Sequence, residues 1–278
     1  MNAKDYAIKA QGSFVLPDVC FKVRQLMEDE RSSAADFANV ISLDPSMASR
    51  LLQIANSAIY NFRSQVSTIS KAVTLVGTQA IYNMMLIDVA TTAFKHFMTP
   101  SIDLKQFWIS SISTGLISKN LAFHAGVKDI ERMFVVGLLH NFGALIVAKV
   151  NPTAADKCTQ QSLNCEPTQA QQAVLGFTYA QVTAELLTLW KIPEKIIIPI
   201  ANYPQAKQMQ VGQDAKLLYL AHRLALGLQF TEQYPIESEQ NLNLCQQLKI
   251  KPADLEPAVQ LASIEVEKVL LSMRLKLY

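Results

Sequence analysis

The sequence predicts an all-α protein, a multi-helix bundle, on three observations. Apolar residues recur at steps of three and four along nearly the whole chain, capping residues stand where those runs begin, and no convincing alternating stretch marks a strand. Half of the 278 residues are hydrophobic and only 17% are charged, below the roughly 25% of an average globular chain. Extensive burial follows, with room for a partner surface.

The elements can be justified in order. Ser33 followed by Asp36 resembles a capping box and opens a helix through Val40 and Ile41. After a very short link, Asp44 as N-cap and Pro45 at the first helical position start a helix whose buried face is Met47, Leu51, Ile54, Ala55, Ala58 and Ile59. Ser67 or Thr68 caps a short helix carrying Ile69, Ala72, Val73 and Val76, and Gly77 supplies the left-handed residue that ends it. Thr78 caps the next, through Ile81, Met85 and Val89 to about Phe97, with Pro100 as breaker. Further helices are expected over Asp103 to His124, Asp129 to Val150, Pro167 to Leu175, Tyr179 to Trp190 and Pro193 to Asn202. Tyr203 to Gln213 is polar, holds Pro204 and Gly212, and reads as a loop. Helices over Asp214 to Leu228 and Pro252 to Leu277 complete the chain. The interruption at Thr99 to Leu104 brings no change of composition, so two packed lobes are expected rather than independent domains.

Charge and composition exclude several classes. The net charge of +2 comes from 25 basic and 23 acidic residues spread along the chain, so no field of one sign supports nucleic-acid binding. Cys20, Cys158, Cys165 and Cys245 form no C-x-x-C pair and read as free buried thiols. Met1 to Pro17 has no apolar run of signal-peptide type, and no stretch reaches ~18 uninterrupted apolar residues. A soluble cytoplasmic protein is expected. Dinucleotide and phosphate-loop fingerprints, H-E-x-x-H and a serine elbow are all absent.

The most informative stretch is Gly137 to Gly143, Gly-Leu-Leu-His-Asn-Phe-Gly. The spacing places His140 in mid-helix among Val136, Leu138, Leu139, Phe142, Leu145 and Ile146, a setting that by itself favours a hydrogen-bonded core histidine. Glycine inside a helix costs up to ~1 kcal/mol against alanine, so Gly137 and Gly143 imply close helix packing or a site. Asn56-Ser57 stands near a helix end, where both residues cap or anchor a turn. Trp108 and Trp190 read as core anchors. His96 and His124 lie near helix ends, where a histidine meets the last carbonyls.

Several motifs, taken in order, resemble the HDOD domain, an output domain related to the HD phosphohydrolases. They are Leu16-Pro17, Asp44-Pro45, Leu51 to Tyr60 around Asn56-Ser57, Ile69 to Gly77, Phe107-Trp108, Gly137 to His140, Leu186-Leu187 and Trp190 to Pro193. The resemblance covers residues 14 to 228. It implies an N-terminal helical lobe at about 14–99, a degenerate HD-like lobe at about 104–228, and a C-terminal helical extension, 229–278, packed on the latter.

The resemblance also maps the metal-ligand positions of an active relative. They fall at Ser110 or Ser111, at His140 and Asn141, at Asn202 and Tyr203, and at His222. Only His140 keeps a ligand of the expected kind. A water-activating divalent ion needs about three protein ligands and an open position, so neither metal, cofactor nor hydrolysis is expected. The implied function is a non-catalytic bacterial signalling module with a protein partner or a small ligand, and no nucleic-acid or membrane partner. Its candidate binding residues are Asn56, Ser57, His140, Asn141 and His222. A rival reading keeps a divergent metal-dependent phosphohydrolase of nucleotides or cyclic dinucleotides, built on His140, His222 and a carboxylate such as Asp129 or Glu131. A third takes the pocket of Ser110, His140, Asn141, Asn202, Tyr203 and His222 as a metal-free ligand site.

Overall fold

The computed structural model describes residues 1–278 except Ser13, Val15, Ala58, Asn61, Arg63, Ser64, Met98, Pro100, Ser101, Met209 and 273–278, and leaves out the side chains of Lys95, His96 and Ser272. Ala58, Pro100 and Leu277, each given a role in the sequence reading, therefore lie outside the described residues. Among those residues the chain forms fifteen α-helices and two short 3₁₀ turns, with no strand.

The N-terminal helices follow their caps. Ahead of the first sequence-predicted helix stand α1 (Ala3–Gln11) and α2 (Asp18–Glu28). Ser33 and Asp36 form the reciprocal capping box that opens α3 (Ala34–Ser42), the Ser33 amide donating to Asp36 Oδ2 at 2.8 Å. Asp44 accepts from the Met47 amide at 2.9 Å and opens α4 (Pro45–Ala55). Thr68 accepts from the Lys71 amide and opens α5 (Ile69–His96), which bends at Gly77, where φ is +81°. A side chain would be strained there, so the bend needs glycine.

The chain continues through α6 (Leu104–His124), α7 (Ile130–Leu139), α8 (Phe142–Val150), α9 (Pro152–Gln161), α10 (Pro167–Leu175), α11 (Tyr179–Leu189), α12 (Glu194–Asn202) and α13 (Gln213–Gly227). Two further helices, α14 (Glu239–Leu248) and α15 (Leu255–Ser272), follow. Central α6 packs against α7, α13 and α15, while α11 packs against α1, α8 and α12. Helix α5 contacts both α3 and α4 on one side and α7 on the other, and one continuous apolar core runs from Tyr6 to Leu270.

The structure corrects the sequence reading in two places. The helix expected over Asp129 to Val150 is broken at His140-Asn141 into α7 and α8. Four helices were not expected from the sequence: α2, which is amphipathic and buries Val19, Cys20 and Val23, and α1, α9 and α14, which are polar on average, bury few side chains and start on the capping residues Asn2, Asn151 and Ser238. Two segments, Ile69–Phe94 and Ile130–Val150, are long and apolar enough to cross a membrane by average hydropathy, but they are 67% and 83% buried inside this fold. Core helices pass the same test.

Trp108 and Trp190 are both buried; Trp108 lies 4.5 Å from Phe94 and Trp190 5.5 Å from Phe14 between ring centroids. His124, in the last turn of α6, pairs with Asp254 at 3.4 Å.

Candidate functional site

The site grows from the break between α7 and α8. Two glycines set the approach of its neighbours. A Cβ on Gly137 would lie 2.6 Å from Gly115 Cα of α6, and one on Gly143 only 2.1 Å from the Tyr179 carbonyl oxygen of α11. Both helices therefore press backbone to backbone, as the spacing of the two glycines implied. Thr183 of α11 ties the junction together: its hydroxyl accepts from the Gly143 amide at 2.8 Å and lies within donating distance of the His140 and Tyr179 carbonyls.

His140 is wholly buried at this break. Its Nδ1 lies 2.6 Å from the Gly137 carbonyl, and its Nε2 lies 3.0 Å from Nδ1 of His222 on α13. A carbonyl only accepts, so His140 Nδ1 carries the hydrogen. His140 Nε2 is then a lone pair when the ring is neutral, and His222 Nδ1 must donate to it. The hydrogen-bond chain leaves His222 Nε2 as a bare acceptor. Both rings are neutral at ordinary pH: burial drives His140 down to about 4, and burial, with His140 and Arg223 adding to it, holds His222 well below the usual imidazole range.

Beside this pair lies a cavity of about 130 Å³ lined by Ser110, Asn141, Cys158, Thr159, Tyr203 and His222, among others. Four positions mapped from the resemblance thus converge from α6, the α7–α8 break, the turn after α12, and α13. His140 stands directly behind, its ring 5.6 Å from that of Tyr203. Asn202 is exposed and lies outside the cavity lining. The 3₁₀ turn Tyr203–Gln205 points the next residue inward instead, and Tyr203 is buried.

Asn56 and Ser57 belong to a different part of the molecule. The Asn56 carboxamide donates to the Leu52 and Val66 carbonyls at 2.7 and 2.8 Å and accepts from the Val66 amide at 2.8 Å. Ser57 Oγ donates to the Ile54 carbonyl at 2.6 Å. These groups hold the turn after α4.

The cavity's donors do not fit a divalent cation. Neither His140 nitrogen is free, so His222 Nε2 is the one imidazole nitrogen open to the cavity, and no carboxylate lines it. Burial pushes the Cys158 thiol up, keeping it protonated. Asp129 caps α7 and accepts from Asn83, and Glu131 pairs with Lys119 at 2.9 Å, so the two acids closest in sequence are engaged elsewhere. Among the described residues no group of three His, Cys, Asp or Glu stands close enough to hold a metal ion.

Cys158 and Thr159 on α9, Gln171 on α10, and Tyr179 and Thr183 on α11 are parts of the site that the sequence reading missed. The Tyr179 register was legible from the Thr178-x-x-Gln181 capping box. Gln171 left no local signal.

Comparison with known proteins agrees with this fold. A curated protein of Treponema pallidum described only as uncharacterized is 26% identical over 199 residues, covering 69% of this chain but 38% of that protein. The chain therefore spans well under half the length of that relative. A "Putative phosphohydrolase" from Shewanella amazonensis superposes with a TM-score of 0.73 at 21% identity, covering 96% of both chains. A "Putative signal transduction protein" from Marinobacter aquaeolei superposes with a TM-score of 0.70 at 19% identity, covering 94% of this chain and 59% of that one. At these identities the likeness is one of fold. Residues 14–206 match the model of the HDOD domain, most of the chain and within the 14–228 stretch that carries the motifs. The chain belongs to the HDOD domain family.

Proposed function

We propose that this chain is a non-catalytic regulatory module of a cytoplasmic signalling pathway, acting by binding a partner protein or a small ligand. In the same reading 14–99 and 104–228 are the two lobes of its HDOD domain and 229–278 is an extension held on the second lobe. One observation carries the proposal. The positions that would hold a catalytic ion converge on one cavity, yet they present neutral hydroxyl, carboxamide and phenol groups and a single free imidazole nitrogen. Hard or borderline divalent ions are held chiefly by carboxylates and by several imidazoles together. Without that charge there is no means of lowering the pKa of a bound water to make a nucleophile.

The rival, a metal-dependent phosphohydrolase, shares the fold and is separated by turnover. The purified chain is incubated with Mn²⁺, Mg²⁺ or Zn²⁺ and either bis(p-nitrophenyl) phosphate or a cyclic dinucleotide. The expected result is hydrolysis no faster than the enzyme-free blank. Metal-dependent turnover that disappears in His140→Ala would overturn the proposal.

A further inference from the structure

We propose that the cavity beside His222 is a binding site for a small uncharged lactam of pyrimidine-base size, held between an acceptor on α13 and a donor on α10. The inference rests on the non-catalytic reading above and gives it a ligand class. Its acceptor is His222 Nε2, left bare by the hydrogen-bond chain that starts at the Gly137 carbonyl. Its donor is Gln171. The Tyr179 backbone amide donates to Gln171 Oε1 at 2.8 Å, and since an amide N–H only donates, the side-chain orientation is fixed. The Gln171 Nε2 hydrogens are then left for the cavity that this side chain lines.

A lactam carries an N–H beside a C=O, which complements this fixed acceptor and donor. Asn141 adds a carboxamide whose side chain caps neither flanking helix. Tyr203 and Tyr179 contribute aromatic walls suited to a planar ring. The volume of about 130 Å³ limits the ligand, because a cavity of about 150 Å³ accommodates one benzene-sized ring. A charged ligand is disfavoured. No lysine, arginine or carboxylate lines the cavity, and neighbouring Lys207 and Arg223 are both paired with Glu166. A nucleotide's phosphate would find no counter-charge there.

The test uses the full chain and ligand-observed NMR saturation transfer with uracil, dimethyluracil and uridine monophosphate. Uracil is expected to bind; dimethyluracil, which has no N–H for His222, is expected to show no transfer, and the nucleotide is expected to bind no tighter than uracil. Gln171→Glu keeps the acceptor for the Tyr179 amide but replaces the donor, so uracil should weaken at least about tenfold. Asn141→Phe puts a ring into the cavity lining without removing a hydrogen bond within the protein and should abolish transfer, and it serves if the first variant does not fold. Absence of transfer from uracil at millimolar concentration overturns the inference. So does equal binding of dimethyluracil, tighter binding of the nucleotide, or unchanged affinity in a folded variant. Any of these with no phosphodiester turnover defeats the ligand assignment alone, whereas turnover defeats the non-catalytic reading itself.

Discussion

Replacing Gly137 with alanine tests the backbone contact on which the site is built. The new Cβ would meet Gly115 Cα at 2.6 Å, Gly115 N at 2.7 Å and the Thr114 carbonyl carbon at 2.8 Å, whereas ordinary contact begins near 3.4 Å. All three obstacles are backbone, so no rotamer change relieves them. Helices α6 and α7 must separate by about 0.8 Å, the difference between 3.4 and 2.6 Å. A gap of that size forfeits roughly a quarter to a half of each dispersion contact along the seam. Met133, Phe134, Val136 and Leu138 on α7 are all buried. Overpacking of a core typically costs about 1–3 kcal/mol, and the immobile obstacle puts this case at the upper end. The higher helix propensity of alanine returns at most about 1 kcal/mol. The expected net loss is therefore about 2 kcal/mol or more. Gly12→Ala is the control: its φ of −63° suits any residue, and its Cβ would meet only the Lys9 carbonyl oxygen at 3.8 Å. That substitution should be neutral or stabilise by up to ~1 kcal/mol. Urea denaturation of both variants gives the difference. Equal midpoints, or a loss below 1 kcal/mol in Gly137→Ala, would refute the reasoning about the α6–α7 seam.

Three further outcomes follow from the hydrogen bonds described above. Long-range ¹H–¹⁵N spectra at neutral pH should show His140 and His222 both protonated at Nδ1 and bare at Nε2; an Nε2–H signal from either contradicts the hydrogen-bond chain. His140 titrates near 4 in the fold against an ordinary 6.5, so the unfolded chain binds the extra proton. Its neutral burial is without cost above pH 6.5 and destabilises progressively as pH falls from 6.5 to about 4, by about 3 kcal/mol in all. Urea midpoints that stay flat across that window count against it. Asn56→Ala removes three hydrogen bonds that close the turn after α4, and it should cost about 1–3 kcal/mol while leaving the His140 signals unmoved.

What the sequence made legible was local. Caps such as Ser33, Asp44, Thr68 and Asp103 act within three residues, so four helix starts could be read from neighbours alone. The break at His140-Asn141 could not. Apolar periodicity runs straight through it from Val135 to Val147, and what fixes the break is tertiary, namely the His222 ring and the Thr183 hydroxyl. Ser110, Asn141, Tyr203 and His222 were reached through family motifs, since nothing in their spacing brings four separate segments together. Asn202 was placed beside Tyr203 because the motif gives no turn geometry, and one residue of rotation decides which of them faces inward. Helix α9, which supplies Cys158 and Thr159 to the cavity, is too polar to announce itself by periodicity.

The central claim is that the HD ligand positions no longer hold an ion. Its most direct measurement is elemental analysis of the full chain after incubation with Mn²⁺, Fe²⁺ or Zn²⁺ and desalting. Retained metal far below one equivalent, and unchanged by His140→Ala or His222→Ala in folded protein, is the predicted result. One equivalent that survives desalting and is lost on replacing either histidine would contradict the account.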